Sequence, residues 1–177
     1  MKKKTYLLIG ILCFVFTTQT FSQNSVKIDY SDEEIFGKEV FKALKSDNYS
    51  LMIKFLPTTE DLDELVKATL ENNPNMPEAE KKKMTEGLNE FQTKRIKEAK
   101  EEFNKIRNLG IEKGIEWNMT TLKTIEYEIK KREGIVKGNI YLIFEFLGAK
   151  YIIDLDDCLK VSRTWLIGDD IRFKGEY

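Results

Sequence analysis

Carboxylates are the only abundant side chains in this sequence that could carry acid–base or metal chemistry. The densest run is Asp154, Asp156 and Asp157, with Asp169 and Asp170 a short way on. A calcium site needs oxygen ligands that converge from a bent loop. In an extended strand Asp154 and Asp156 share a face while Asp157 points away, and the twelve-residue calcium loop with glycine at its sixth position is missing. No metal is expected. Glu126, Glu128 and Glu145 lie in segments of strand character, with Tyr127 and Tyr141 near them in sequence. Carboxyls do acid–base work when they are held in a pocket. Glu145 stands out because Tyr141, Ile143 and Leu147 on its row are apolar. Burial would raise its pKa, whereas an exposed or edge-paired position on the sheet's outer face would leave it an ordinary surface acid.

Other chemistries are narrowed by what the chain lacks. It has no histidine, which removes Ser-His-Asp and Cys-His catalysis in their usual forms and the common histidine zinc sites. There is no glycine-rich phosphate loop and no Cys-x-x-Cys pair, so no cofactor is implied. Cys158 is accompanied only by Cys13, and Cys13 lies in a leader. Trp117 and Trp165 carry rings that either stack on a ligand such as a sugar or pack into the core.

The leader is read from Lys2, Lys3 and Lys4, the apolar run Tyr6 to Phe16, and the small or polar residues Thr17 to Ser22 around one Phe. The run is too short for a membrane span, which needs about 20 residues. It therefore reads as a cleaved secretory signal over 1–22. Cys13 follows Gly10-Ile11-Leu12 inside the apolar run and does not fit a lipid-attachment site. The expected product is periplasmic or secreted, without a membrane anchor. It spans 23–177 as one domain, and a chain of that size buries roughly 70% of its unfolded surface. Losing the three leader lysines takes the formal charge from −1 to −4, and such a balance does not point to nucleic acid. Cys158 would then be alone, so no internal disulfide forms, and burial is the common fate of a free cysteine.

Helices are predicted first, over about 31–109. Ser31-Asp32-Glu33-Glu34 reads as a capping box before a helix that carries Phe36, Val40, Phe41 and Leu44 on one side. A shorter helix covers Tyr49 to Leu56 and stops at Pro57. Thr58 or Thr59 caps a third, with Leu62, Leu65, Val66 and Leu70 at helical spacing. Pro77 suits a first helical position. From there the pattern stays helical to Leu109, with a break near Gly87 or a projecting end, and Gly110 closes it.

Strands follow over about 115–175. Ile125, Tyr127 and Ile129 alternate with charged residues. Ile140, Leu142, Phe144 and Phe146 share one face, as do Tyr151, Ile153 and Leu155, and these rows are the predicted core. Two long strands meet at a tight turn, Gly148-Ala149. Arg163 to Phe173 makes a fourth strand, interrupted at Gly168-Asp169-Asp170. Short turns imply an antiparallel meander. The expected architecture is α+β, with N-terminal helices packed on one face of a four-stranded antiparallel sheet. The opposite row (Tyr141, Ile143, Glu145, Leu147, then Ile152, Asp154, Asp156) is half apolar, more so than a fully solvated face. Partial cover by a loop or chain end, or a dimer or ligand surface, accounts for that.

The mature chain resembles a class of small secreted bacterial proteins with a cystatin-like or NTF2-like α+β fold. The resemblance rests on Phe21-Ser22-Gln23, on Leu56-Pro57-Thr58-Thr59-Glu60-Asp61-Leu62, and on Tyr151 to Cys158 with Trp165 to Phe173. Its motifs are structural and imply no activity. Helices preceding all strands favour the cystatin-like arrangement over a deep NTF2-type pocket. Gly134-Ile135-Val136-Lys137-Gly138 is also similar to the inhibitory hairpin of cystatin-type protease inhibitors, with Gly134 where that motif begins with Gln.

The function expected is a non-enzymatic domain that binds a ligand or partner protein, with a homodimer through the half-apolar face as one form. The residues expected to carry it are Tyr141, Ile143, Glu145, Ile152 and Trp165. The alternatives are a small-molecule or enzymatic pocket between helices and sheet built on a buried carboxylate, and a protease-inhibitor-like module.

Overall fold

The computed structural model describes residues 32–132 and 134–177. The leader read over 1–22 and Ser31 lie outside the described residues. The elements run α1 (Glu33–Lys45), α2 (Ser50–Ile53), α3 (Thr59–Asn72), α4 (Glu78–Glu112), a short 3₁₀ turn (Trp117–Met119), then β1 (Thr121–Arg132), β2 (Ile135–Phe146), β3 (Ala149–Val161), β4 (Thr164–Leu166) and β5 (Asp170–Glu176). All helices precede all strands, as expected. No described helix is long and apolar enough to cross a membrane.

Local chemistry fixes the helix ends. Asp32 caps α1, its side chain accepting from the Ile35 N–H at 2.9 Å. Thr58 caps α3 in a capping box with Asp61. Pro77 is the N-cap of α4, one place earlier than expected. α4 runs unbroken through Gly87 and continues past Gly110. It ends at Gly114, whose φ of 77° suits glycine. There the Gly114 N–H bonds Ile111 O and the Ile115 N–H bonds Gly110 O, the two hydrogen bonds of a Schellman close.

The sheet has five antiparallel strands rather than four, in the order β1-β2-β3, with both β4 and β5 paired to β3. The predicted fourth strand is divided because the chain at Gly168 presses against β3. A Cβ there would lie 2.2 Å from Asp156 O and Asp157 O. The β2–β3 turn is Leu147-Gly148, one residue earlier than predicted, since Phe146 pairs with Ala149. Both turn residues have positive φ, as a primed two-residue hairpin turn requires.

Ile140, Leu142, Phe144, Ile153 and Leu155 are buried as predicted, in a cluster with Phe36, Val40, Leu44, Phe55, Phe103 and Ile106. A fully buried side chain of this size stabilises by about 1.5–3 kcal/mol. Phe144 is central, with ring centroids of Phe41, Trp117 and Tyr151 each 5.5 Å away. α1 sits close because Gly37 has no side chain. A Cβ there would lie 2.9 Å from Ile125 and Leu142.

The helices do not all lie on that face. β3 carries a bulge at Asp157, in left-handed conformation at φ 47°, which shifts the β2–β3 register between Gly138 and Ile140. One extra residue reverses which side chains face which way. Beyond it Cys158 stays in the main core while Leu159 and Val161 turn to the opposite face. There, with Leu166 and Ile135, they meet Leu62 and Leu65 of α3 and Leu88 and Phe91 of α4. The C-terminal half of α4 joins the main core through Ala99, Phe103 and Ile106. α4 therefore passes from one face of the sheet to the other beside the gap between β4 and β5.

Candidate functional site

α3 and the first turns of α4 cover only the end of the second face that holds Leu159 and Val161. The rest of that face, on the central stretches of β1, β2, β3 and β5, bears the row singled out from the sequence. The register sets its ranks. Glu126, Tyr141, Asp154 and Arg172 stand side by side, and Thr124, Ile143, Ile152 and Gly175 form the next rank. Ile143 is only 4% exposed, while Tyr141 and Ile152 are half-buried.

The charges on this face close on one another. Asp154 is 3% exposed. Its Oδ2 receives Arg172 Nη2 at 3.2 Å and Lys174 Nζ at 3.3 Å. Arg172 also pairs with Asp156. Burial works against the Arg172 charge, but Asp154, Asp156 and Asp170 outweigh it and hold the guanidinium more firmly protonated. Asp154 Oδ1 and Arg172 Nε have no hydrogen-bond partner among the described residues. Glu145 is not a desolvated acid. It lies near the end of β2, a third exposed, and pairs with Lys123 at 3.2 Å, where the Lys123 bulge of β1 brings that ammonium over it.

Trp165 does not belong to this group. It is fully buried in the main core, with Lys160 Nζ 5.4 Å from its ring centroid, so it presents no surface for a ligand. The structure thus brings Tyr141, Ile143, Glu145 and Ile152 onto one face and removes Trp165. It adds Arg172 and Lys174, which the sequence reading did not single out. Their signal was the alternation Arg172-Phe173-Lys174, but only the β3–β5 register shows that it faces Asp154.

Other features do not converge on chemistry. Among the described residues no group of three or more His, Cys, Asp or Glu could hold a metal. A hollow of about 540 Å³ is lined by Asn72 to Met76 and Glu80, away from every predicted site residue. A cleft between α4 and β5 of about 200 Å³, with Glu102, Lys105 and Lys174 on its walls, is below the usual range for a small-molecule site. Burial pushes the Cys158 thiol up to about 12, so it is not a nucleophile at neutral pH. Gly134, at the head of the inhibitor-like motif, lies against α3. A Cβ there would meet Asn72 and the Ala68 carbonyl at 2.3 and 2.6 Å.

Comparison with known proteins returned no match: no family model, no curated protein and no solved structure is significantly similar to this chain.

Proposed function

We propose that this chain is a secreted, non-enzymatic binding domain of cystatin-like arrangement, and that it binds a ligand or partner protein through the part of the second sheet face that no described helix covers. The order of the elements, helices first and a meander after, supports that arrangement. The leader supports the address, in the periplasm or outside the cell. One observation carries the binding reading. The apolar side chains Tyr141 and Ile152 are half-exposed, and no described helix lies over them. The charged groups around them (Asp154, Arg172, Lys174, Glu145, Lys123) are already paired within the chain. Groups engaged in mutual ion pairs make a fixed polar rim around an apolar centre, which is the anatomy of a protein interface. They do not converge on a cavity, as acid–base catalysis requires.

The test places a photo-crosslinking amino acid at position 141 or 152 in the producing cell, with positions 83 and 113, exposed lysines elsewhere, as controls. Discrete adducts from 141 and 152 that the controls do not give are expected. Equal labelling at all positions, or none at 141 and 152, would remove this face as the binding surface.

A further inference from the structure

β1 is an edge strand: it pairs with β2 on one side, and no other described strand pairs with it. It is also long, Thr121–Arg132, and every described residue from Glu126 to Arg132 is exposed. Tyr127 is 49% and Ile129 40% exposed, although both lie on the side of the sheet that carries the main core. Exposed edges are a hazard that proteins usually blunt with charge. Here the charges do not form a uniform repelling row. Going along the strand they are acidic at 126 and 128 and basic at 130, 131 and 132.

That order is self-complementary. When a strand pairs antiparallel with its own copy about a twofold axis, residues equidistant from the axis face each other. With the axis at Ile129, Glu128 faces Lys130 of the copy and Glu126 faces Arg132, and each pair occurs twice. On the other side of the sheet Ile129 meets its own copy and Tyr127 meets Lys131, a cation over an aromatic ring. Like charges do not oppose each other in this register. Moving the axis to Glu128 would set that carboxylate against itself.

We propose that β1 is a homodimer interface: two copies join edge to edge, antiparallel and centred on Ile129, into one continuous sheet. The occupant of the edge is a second copy of this chain, chosen by charge complementarity, with backbone hydrogen bonds supplying the affinity. Cys158 plays no part, being buried. This edge adjoins the sheet face proposed above, because Glu126 stands beside Tyr141, but the contact it makes is strand to strand and does not cover Tyr141 or Ile152.

The experiment measures the mass of the purified protein in solution by light scattering over a concentration series. Twice the chain mass is expected, with the dimer weakening as salt is added. Glu128→Lys sets lysine against Lys130 at two places and should raise the dimer dissociation constant about tenfold. Glu128→Lys combined with Lys130→Glu restores both pairs and should restore the dimer. Both positions are exposed, so neither change threatens folding. An Ile129→Cys variant should give a disulfide-linked dimer on mild oxidation, whereas Glu126→Cys should not. A monomer at all concentrations would overturn the proposal, and slow amide exchange along its β1 would assign the edge to this chain's own first residues. A dimer indifferent to Glu128→Lys but lost on Ile152→Lys would also overturn it, in favour of the sheet face.

Discussion

Asp61 joins two distant parts of the chain through one carboxylate. It is 3% exposed. Its Oδ2 accepts from the Thr58 N–H and hydroxyl, both at 2.8 Å, which starts α3. Both of its oxygens also receive the Arg163 guanidinium, at 2.7 and 2.6 Å, and Arg163 in turn donates to the Lys54 and Leu56 carbonyls. Burial alone would raise the Asp61 pKa, but the Arg163 and Thr58 hydrogen bonds and the Arg163 charge together outweigh it, and the pKa lies below the usual value. The unfolded chain therefore takes up this proton first. The stability that Asp61 contributes is fully present above the ordinary carboxylate pKa and is lost as pH falls through the folded one. Glu39 and Asp169 are lowered as well and add to the same slope. Denaturant midpoints should hold near neutral pH and fall below about pH 4. Asp61→Asn should cost about 2 kcal/mol at neutral pH and make the acid limb shallower. An acid limb as steep as that of the unchanged protein would show that Asp61 does not contribute to it.

α4 separates two glycines that look alike in sequence. Gly87 is exposed, and a Cβ there meets nothing within 4 Å. Gly87→Ala should therefore raise stability by about 0.5–1 kcal/mol through helix propensity and the smaller entropy of the unfolded chain. A Cβ on Gly110 would lie 2.6 Å from the Trp117 ring, whose indole N–H donates to the Arg107 carbonyl at 3.0 Å. Gly110→Ala should therefore lower stability by about 1–3 kcal/mol through overpacking. Thermal unfolding of the two variants checks this: shifts of the same sign would contradict the packing argument. The same pair shows what the sequence can and cannot reveal. A helix was legible from its stripe and its i,i+4 charges, but its stop was misplaced at Gly110. A glycine kept for close approach and a glycine kept for positive φ leave the same letter, and of Gly110 and Gly114 only the second has positive φ. The core rows of β2 and β3 were legible because period two is strict up to the bulge. Tyr141, Ile143 and Ile152 followed from the same alternation. Beyond Asp157 the alternation reverses, and no local feature announced it. That is why cover by α3 over Leu159 and Val161 was not foreseen. Trp165 stayed open between ligand stacking and core packing for a related reason: its side of the sheet depends on pairing with Lys160, which comes after the reversal.

At the scale of the molecule, two helix layers on opposite faces must be held in register around one sheet, and α4 belongs to both. It changes face beside the loop between β4 and β5, and Arg95 sits at that crossing, 0% exposed. Its guanidinium makes two parallel hydrogen bonds to Glu102, at 2.8 and 2.6 Å, and one to the Asp169 carbonyl at 3.0 Å. Lys94 adds a surface pair to the Asp169 carboxylate at 2.9 Å. A buried pair of this kind gives little net stability over an apolar substitute, but removing one partner strands the other. Its role here is placement: the carbonyl contact fixes where the helix crosses the sheet edge. Arg95→Leu should cost about 3 kcal/mol and speed amide exchange in residues 170–176, which pair with β3 and pack against α4. Arg95→Leu with Glu102→Leu removes the stranded carboxylate and should recover more than half of the lost stability. Because the Asp169 contact stays absent, exchange in β5 should remain fast even where stability returns. If exchange in β5 recovers along with stability, Arg95 is a buried charge and nothing more, and the face-changing path of α4 is set by the apolar contacts of Phe91 and Phe103 alone.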